Sequence, residues 1–427
     1  MAPPPTARVS LKAFLATAKK ALAAPPAQRP NPLTFVVGNE SADLDSLCSA
    51  LVLAYFRTHT PPHTLHIPLS NLPRGDLALR SELGAVLGPA GLKPEDLLTL
   101  SDLPLREHLK PEDTRWFLVD HNALTGDLAH RFADASSSSR SSNDNLVIGC
   151  IDHHDDEGAV PQNVAPRVFE KSGSCMSLVV DHFKDAWGKL EPSREVDAEL
   201  AHVALGPILI DTTNLTAKNK TTDWDVRAVE LVESRIMGAG VAAAGAGTTE
   251  PASSYDRTKF FDDVTHLKED ISRLSYRDIF RKDYKQWNDG DGSNGLTLGI
   301  AGVVQGLDFL VEESRGGKDK FLEALQDWAQ EQKLDIAAVM TTSRPDGKFT
   351  RELLVWAFGE PAVKVVKSFA NKNKDSLGLA TWHNGALDKD DGGGAEWRAG
   401  WTQSRVEHSR KQVAPMLREA MKDSSKL

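Results

Sequence analysis

Short apolar runs alternate with longer stretches of helical periodicity through the first half of the chain. "LTFVVG" (33–38), "RWFLVD" (115–120) and "NLVIGCID" (145–152) are compact hydrophobic segments, rich in β-branched and aromatic residues, and predict strands. "DLDSLCSALVLAYFRTH" (43–59) instead places Leu47, Leu51, Ala54 and Tyr55 on one helical face. "SGSCMSLVVDHFKDAW" (172–187) reads as a helix capped by Ser172 or Ser174, and "VDAELAHVALGPILID" (196–211) as a mainly helical run ending at Asp211. Continuous apolar strands separated by helices predict a mostly parallel α/β sheet flanked by helices.

The pattern breaks at "MGAGVAAAGAGTTEPASS" (237–254), a small-residue run that reads as a linker or exposed loop. It suggests a first domain over 1–236, a linker over 237–256 and a smaller α/β domain over 257–427. In the latter, "LTLGIAGVVQGLDFLV", "LDIAAVMTTS" and "RELLVWAFG" look like strands, and "DKDDGGGAEWRAG" (388–400) looks like a loop. "TTSRPDGKF" carries a Pro-Asp-Gly turn signal. The serine-rich "ASSSSRSSNDN" (135–145) reads as a surface insertion.

Composition narrows the class. The chain has 427 residues, 40% of them hydrophobic, enough for ordinary cores. No stretch nears the roughly 20 apolar residues of a membrane span. The three cysteines, Cys48, Cys150 and Cys175, form neither a disulfide framework nor a CxxC site, which points to a reducing compartment. The N-terminus up to Arg29 is basic and free of acids. It is open to reading as a mitochondrial transit peptide, but "VSLKAFLATAKKALAA" is expected to be a first helix with its lysines in solvent, so the location expected is cytoplasmic. A net charge of −10 argues against a general nucleic-acid binder, though a local basic patch can still hold a polyanion.

Each predicted strand of the first half runs into ionisable groups. "NESADLDS" follows the first, Asp120 within "DHN" closes the second, and Asp152, His153 and His154 close the third. Asp211 ends the helical run in "LIDTTN". In open α/β sheets ligands sit beyond the carboxyl ends of the strands, so these segments should converge there. Carboxylates gathered at one edge repel, and each is costly to bury without a partner. One divalent cation, or a pair, relieves both problems.

"DLDS", "VDHN", "IDHHDD" and "LIDTTNL" resemble, in order, the signature motifs of the DHH phosphoesterase superfamily. "RKDYKQW" (281–287) and "SRKQVAPML" (409–417) resemble phosphate-binding motifs of the DHH-associated domain, shared by family II inorganic pyrophosphatases and fungal exopolyphosphatases. The opening "GNESADLDS" is most similar to the exopolyphosphatase branch. The resemblance implies a catalytic DHH domain, a smaller phosphate-binding domain and an active site in the cleft between them. It also implies two divalent ions, Mg²⁺ with Mn²⁺ or Co²⁺ as alternatives. Asp45, Asp120, His153 and Asp211 would hold one, and Asp43 and bridging Asp120 the other. Such ions activate water and clamp phosphoryl oxygens. Asp152 would orient a neighbouring ligand. His154 would face the substrate as an electrophile or proton donor, and His121 and Asn122 would meet phosphate.

One position departs from the pyrophosphatase pattern: Asn39 stands where those enzymes have histidine. An oxygen donor suits Mg²⁺ better than Mn²⁺ or Co²⁺, so Asn39 is included among the metal-site residues with a weaker, more Mg²⁺-like second ion expected. Lys285, Arg410 and Lys411 match phosphate-binding positions, and Ser409 is placed to cap "SRKQVAPMLREAM" and aim its N–H groups at an anion. Arg344, Lys348, Arg351, Arg405 and His408 are further cations for the same track.

The function implied is a metal-dependent exopolyphosphatase acting as a monomer on inorganic polyphosphate, without nucleic acid or membrane as partner. Asp120, His154, Arg410 and Lys411 would carry the chemistry. The rivals are a family II pyrophosphatase, a non-catalytic scaffold of the same fold, and a nucleotide or oligonucleotide phosphoesterase.

Overall fold

The parallel sheet predicted from continuous apolar runs is present. A computed structural model describes residues 8–132, 146–245, 255–289, 295–390, 392 and 394–424. Its first sheet contains β1 (Leu33–Val37), β2 (His66–Leu69), β3 (Thr114–Val119), β4 (Val147–Asp152) and β5 (Arg167–Phe169). Their order is β2-β1-β3-β4-β5, and every pairing among the described residues is parallel. β1 is buried at all positions because helices cover both faces of the sheet. β2 and β5 escape a sequence reading: β2 is short and contains Pro68, and β5 has only three residues.

The helices of this unit are α1 (Leu11–Ala23), α2 (Leu44–His59), α3 (Leu83–Leu87), α4 (Gly126–Phe132), α5 (Cys175–Lys189), α6 (Arg194–Thr212), α7 (Asp223–Gly245) and α8 (Arg257–Glu269). The expected single buried face of α2 understates its burial. Nearly every residue is buried, since α2 lies against β1 and β2 on one side and α5 and α6 on the other. Ser174 supplies the cap of α5, accepting from the Met176 N–H at 3.3 Å.

The linker reading of 237–256 needs correction over its first part. α7 continues to Gly245, because its alanines favour helix enough to carry the glycines. Residues 246–254, like the serine-rich insertion, lie outside the described residues. α8 belongs with the first unit: Val264 joins that core, with Phe260 and Phe261 packed against it. The chain accordingly divides into compact units Met1–Lys268 and Glu269–Leu427.

The second unit holds β6 (Tyr284–Asp289), β7 (Leu296–Val303), β8 (Ile336–Ser343), β9 (Thr350–Phe358), β10 (Leu379–Thr381), β11 (Lys389–Asp390) and β12 (Glu396–Gln403). Its sheet runs β10-β12-β9-β8-β7-β6, with β11 paired to β12. The glycine-rich stretch read as a loop therefore contains β11 and most of β12. Glycines masked a strand whose pairing with β9 is long-range. Ile336, Ala338 and Met340 of β8 enter one core, and Ala337 and Val339 enter another, so both sheet faces are covered. The helices are α9 (Tyr276–Lys282), α10 (Leu307–Leu310), α11 (Gly317–Glu331), α12 (Glu360–Leu377) and α13 (Arg410–Ser424). No described helix is long and apolar enough to cross a membrane.

Candidate metal centre

Parallel pairing brings the strand ends together. Val37 stands beside Leu118, and Val119 beside Ile151, so the residues after β1, β3 and β4 emerge on one edge. The turn after β1 lies tight against α2. A Cβ on Gly38 would sit 2.4 Å from that of Ser46, so only glycine fits there. Asp43 caps α2, accepting from the Ser46 N–H at 3.0 Å, and Asp45 lies in the helix's first turn. Asp120 follows β3 with φ 59°, a left-handed conformation that turns its side chain along the edge.

Asp120 is the hub. Its Oδ1 lies 3.1 Å from His153 Nε2 and 3.9 Å from His154 Nδ1. Its Oδ2 accepts from Ser46 Oγ at 2.7 Å and Asn39 Nδ2 at 2.8 Å. Burial pushes this carboxyl upward, but hydrogen bonding and charge from His153, with His154 and Ser46 adding, hold it below the usual range. Among the described residues Asp120, His153 and His154 form a group whose donor atoms all lie within 4.8 Å of one another.

The two histidines are set in opposite senses. His153 Nδ1 lies 3.0 Å from the Ser172 carbonyl oxygen, which only accepts, so Nδ1 carries a proton; Nε2, 3.1 Å from Asp120 Oδ1, donates to that carboxylate when no cation is bound. A cation that displaced the Nε2 proton would meet the Nδ1–H form, the tautomer of a metal-ligating imidazole. His154 turns Nδ1 to Asp152 Oδ1 at 2.8 Å, leaving Nε2 away from this pair. Asp152 is fully buried. Burial alone would raise its pKa, but the His154 hydrogen bond and charge, with Asn122, bring it down to about 2. Asp152 thus orients His154.

Asn122, expected to meet phosphate, does something else. It is buried and donates to Asp152 Oδ2 at 2.7 Å and the Asp155 carbonyl at 3.0 Å, while accepting from the Glu157 N–H. Its polar groups brace the loop after β4. His121 uses one ring nitrogen within the fold. Nδ1 meets the Val119 carbonyl at 2.9 Å, and buried Nε2 has no partner in the fold. Burial lowers the pKa of its imidazole.

Asn39 also departs from expectation. Its amide nitrogen faces Asp120, and its oxygen accepts from the Ser41 N–H at 2.8 Å. The only Asn39 side-chain atom able to ligate a cation is turned to the backbone, so Asn39 positions Asp120 and offers no donor oxygen to the cluster.

The remaining acids stand around the hub. Asp45 is buried and accepts from Ser174 Oγ at 2.7 Å, Met176 N at 2.9 Å and Cys175 N at 2.6 Å. It thereby holds the N-terminus of α5, where the helix dipole favours a carboxylate. Burial raises Asp45 strongly, and Asp120 and Asp211 add repulsion. Asp43 is exposed, and desolvation, then repulsion from Asp120, raise its pKa. Asp211, at the end of α6, is pushed up to about 7 by desolvation, with Asp43 and Asp120 opposing its ionisation and Lys268 favouring it. Mutually repelling carboxyls beside an imidazole are a donor set that fits divalent cations.

Sequence reasoning missed Asp225. This buried carboxylate accepts from Gly173 N, Ser174 N, Ser177 Oγ, and both the N–H and hydroxyl of Thr222. It caps α7 in a Thr-x-x-Asp box and clamps the segment whose Ser172 carbonyl orients His153 and whose Ser174 holds Asp45. The local signal was the capping box; the clamp itself joins distant segments.

In the second unit, Ser409 and Gln412 cap α13 reciprocally: Ser409 N reaches Gln412 Oε1 at 2.9 Å, and Lys411 N reaches Ser409 Oγ at 3.2 Å. Arg410 pairs with Asp283 Oδ1 at 2.6 Å, next to the start of β6, where Lys285 is exposed.

Comparison with known proteins agrees with this architecture. Residues 34–208 match the DHH family, N-terminal domain, and residues 262–420 match the DHHA2 domain. The chain belongs to the DHH phosphoesterase superfamily and is a hydrolase. It is 32% identical over 397 residues to a Schizosaccharomyces pombe protein named "Putative exopolyphosphatase", covering 91% of each chain. It is 25% identical over 313 residues to the "Manganese-dependent inorganic pyrophosphatase" of Methanocaldococcus jannaschii, covering 73% of this chain and 83% of that one. A crystal structure of a Methanococcus jannaschii "putative family II inorganic pyrophosphatase" shares the fold, with TM-score 0.51 and 20% identity over 91% of this chain and 99% of the other.

Proposed function

We propose that this protein is an exopolyphosphatase that releases terminal orthophosphate from linear inorganic polyphosphate. The observation that carries the reading is the cluster of Asp120, His153 and His154 at the edge where β1, β3 and β4 end, ringed by Asp43, Asp45 and Asp211. Asp120, Asp45, His153 and Asp211 would hold one divalent ion, and Asp43 and Asp120 a second, with Mg²⁺ the preferred metal. Divalent ions supply Lewis acidity toward phosphoryl oxygens and a lowered pKa for water.

The chain's own residues do the rest. Ser46 and Asn39 fix Asp120, and the Ser172 carbonyl fixes the His153 tautomer. Asp152 presents His154, whose Nε2 would donate a proton to the leaving phosphate. His121 Nε2 would contact a phosphoryl oxygen. Lys285, Arg410 and Lys411 would neutralise the phosphate chain and the charge that develops on cleavage.

Pyrophosphate hydrolysis is the second reading, favoured by the 25% identity to the archaeal pyrophosphatase. Asn39, whose oxygen faces the backbone, weighs against a metal centre of that kind. The reading includes a cytoplasmic monomer, and three buried free thiols support a reducing compartment. Product analysis with Mg²⁺ decides it. Stepwise release of orthophosphate from a defined polyphosphate, abolished by chelator, is expected. Turnover confined to pyrophosphate establishes the second reading.

A further inference from the structure

One edge of the second sheet gathers, beside the motif residues Lys285 and Arg410, cations that lie outside the motifs. β7 and β8 run parallel and end there, at Val303 and Ser343. Antiparallel β9 starts there, with Thr350 opposite Ser343, and β12 ends there, with Thr402 opposite Glu352. β6 begins on the same edge, with Tyr284 opposite Ala301, and Arg410 is tied to Asp283 just before it. Lys285, Arg410, Arg344, Lys348 and Arg351 therefore share this edge.

Within it lies a recess of about 640 Å³ lined by Arg344, Lys348, Phe349 and Arg351. The Arg344 and Arg351 guanidinium carbons stand 5.7 and 5.0 Å from the Phe349 ring centroid, so one ring carries two like charges. Among the described residues no carboxylate pairs with Arg344, Lys348 or Arg351. Arg351 is half-buried, and its Nε is used on the Val406 carbonyl at 2.7 Å. Desolvation lowers its pKa, the mark of a cation lacking a counter-charge.

The acids sharing the recess are engaged elsewhere. Glu352 accepts from Leu307 N, Trp382 Nε1 and Thr341 Oγ1, and Asp308 lies 3.5 Å from His383. Glu269 also lines the recess without pairing to these cations. Such an excess of unpaired positive charge in a concave site is built for an anion.

We propose that this recess is a distal phosphate-chain subsite, in which Arg344, Lys348 and Arg351 bind internal phosphates of a linear polyphosphate. The proposal rests on the polyphosphate reading above and adds to it a cause of chain-length preference. β9 and β6 are three strand spacings apart, roughly 14 Å. A chain held at Arg410 and Lys285 reaches the recess only if it is several phosphates long, so tripolyphosphate gains little from it.

The test is the full-length double variant Arg344→Ala/Lys348→Ala, both exposed positions whose replacement leaves the fold intact. Two lost charge-assisted contacts predict that the ratio of kcat/KM for long-chain polyphosphate to that for tripolyphosphate falls by about 10-fold or more. An unchanged ratio, or an equal loss on both substrates, overturns the subsite. Calorimetric binding of long-chain polyphosphate to chelator-treated protein separates this from catalysis. Weaker binding by the variant supports the subsite even if wild-type protein fails to cleave polyphosphate, in which case only the exopolyphosphatase reading falls. If a single-stranded oligonucleotide of equal charge binds as tightly and loses affinity in the variant, the site is a nucleic-acid surface and the proposal is wrong.

Discussion

Asp120 keeps a low pKa in the middle of acids whose pKa values are raised. The difference is local: two imidazoles and a serine hydroxyl stabilise its charge, whereas Asp43, Asp45 and Asp211 meet desolvation and each other. Its charge is therefore the best stabilised of the group before any cation arrives. Asp120→Asn removes that charge and should lower kcat by at least about 10³-fold, or roughly 4 kcal/mol, with the fold retained. Steady-state turnover beside a thermal melt checks it. Near-wild-type activity would show that the hub has been misplaced.

Segments, more than single side chains, set the geometry of the Asp/His cluster. Asp225 ties the start of α7 to the turn before α5, and that turn holds both His153 and Asp45. Asp225→Ala leaves buried N–H and hydroxyl groups without acceptors, at a cost of roughly 3 kcal/mol. Metal affinity, followed by calorimetric titration with Mn²⁺, should fall at temperatures where the variant is still folded. Loss of stability with unchanged affinity would make Asp225 a simple helix cap.

On β2, His66 places Nδ1 on the Thr64 carbonyl and buries Nε2 without a partner, and burial lowers its pKa to about 4. The unfolded chain binds this proton at about pH 6.5. Because the folded pKa is the lower one, the native state is favoured above pH 6.5 and loses ground as pH falls toward 4. At pH 5 the penalty is about 2 kcal/mol relative to pH 7.5. Denaturant unfolding at the two pH values should show a wild-type loss that His66→Gln reduces by that amount.

At the scale of the whole molecule, each compact unit has its own core. Val264, Leu51 and Trp116 belong to one cluster, and Val355, Phe369 and Leu417 to another. The second unit also covers both faces of its sheet with its own helices. Residues 269–427 expressed alone should consequently fold, giving a native-like far-UV spectrum and one cooperative melting transition. A molten, ANS-binding product would show that this unit needs the first to complete its core.

The order of the acidic and imidazole motifs was legible in the sequence, because apolar runs ending in charge define strand tips and a parallel sheet has only one edge for them. The parallel first sheet was legible for the same reason, and so was the capped helix carrying Ser409, Arg410 and Lys411. The role of Asn39 was not, since an amide offers a donor and an acceptor and only the neighbouring Ser41 N–H and Asp120 decide which faces the site. The role of Asn122 was not legible either, because its bonds go to the end of β4 and the loop after it, 30 to 35 residues away. Asp225 and the recess around Phe349 depend on contacts between segments far apart in the chain. Local pattern carries burial and periodicity; partners across sequence distance are fixed only when the chain is packed.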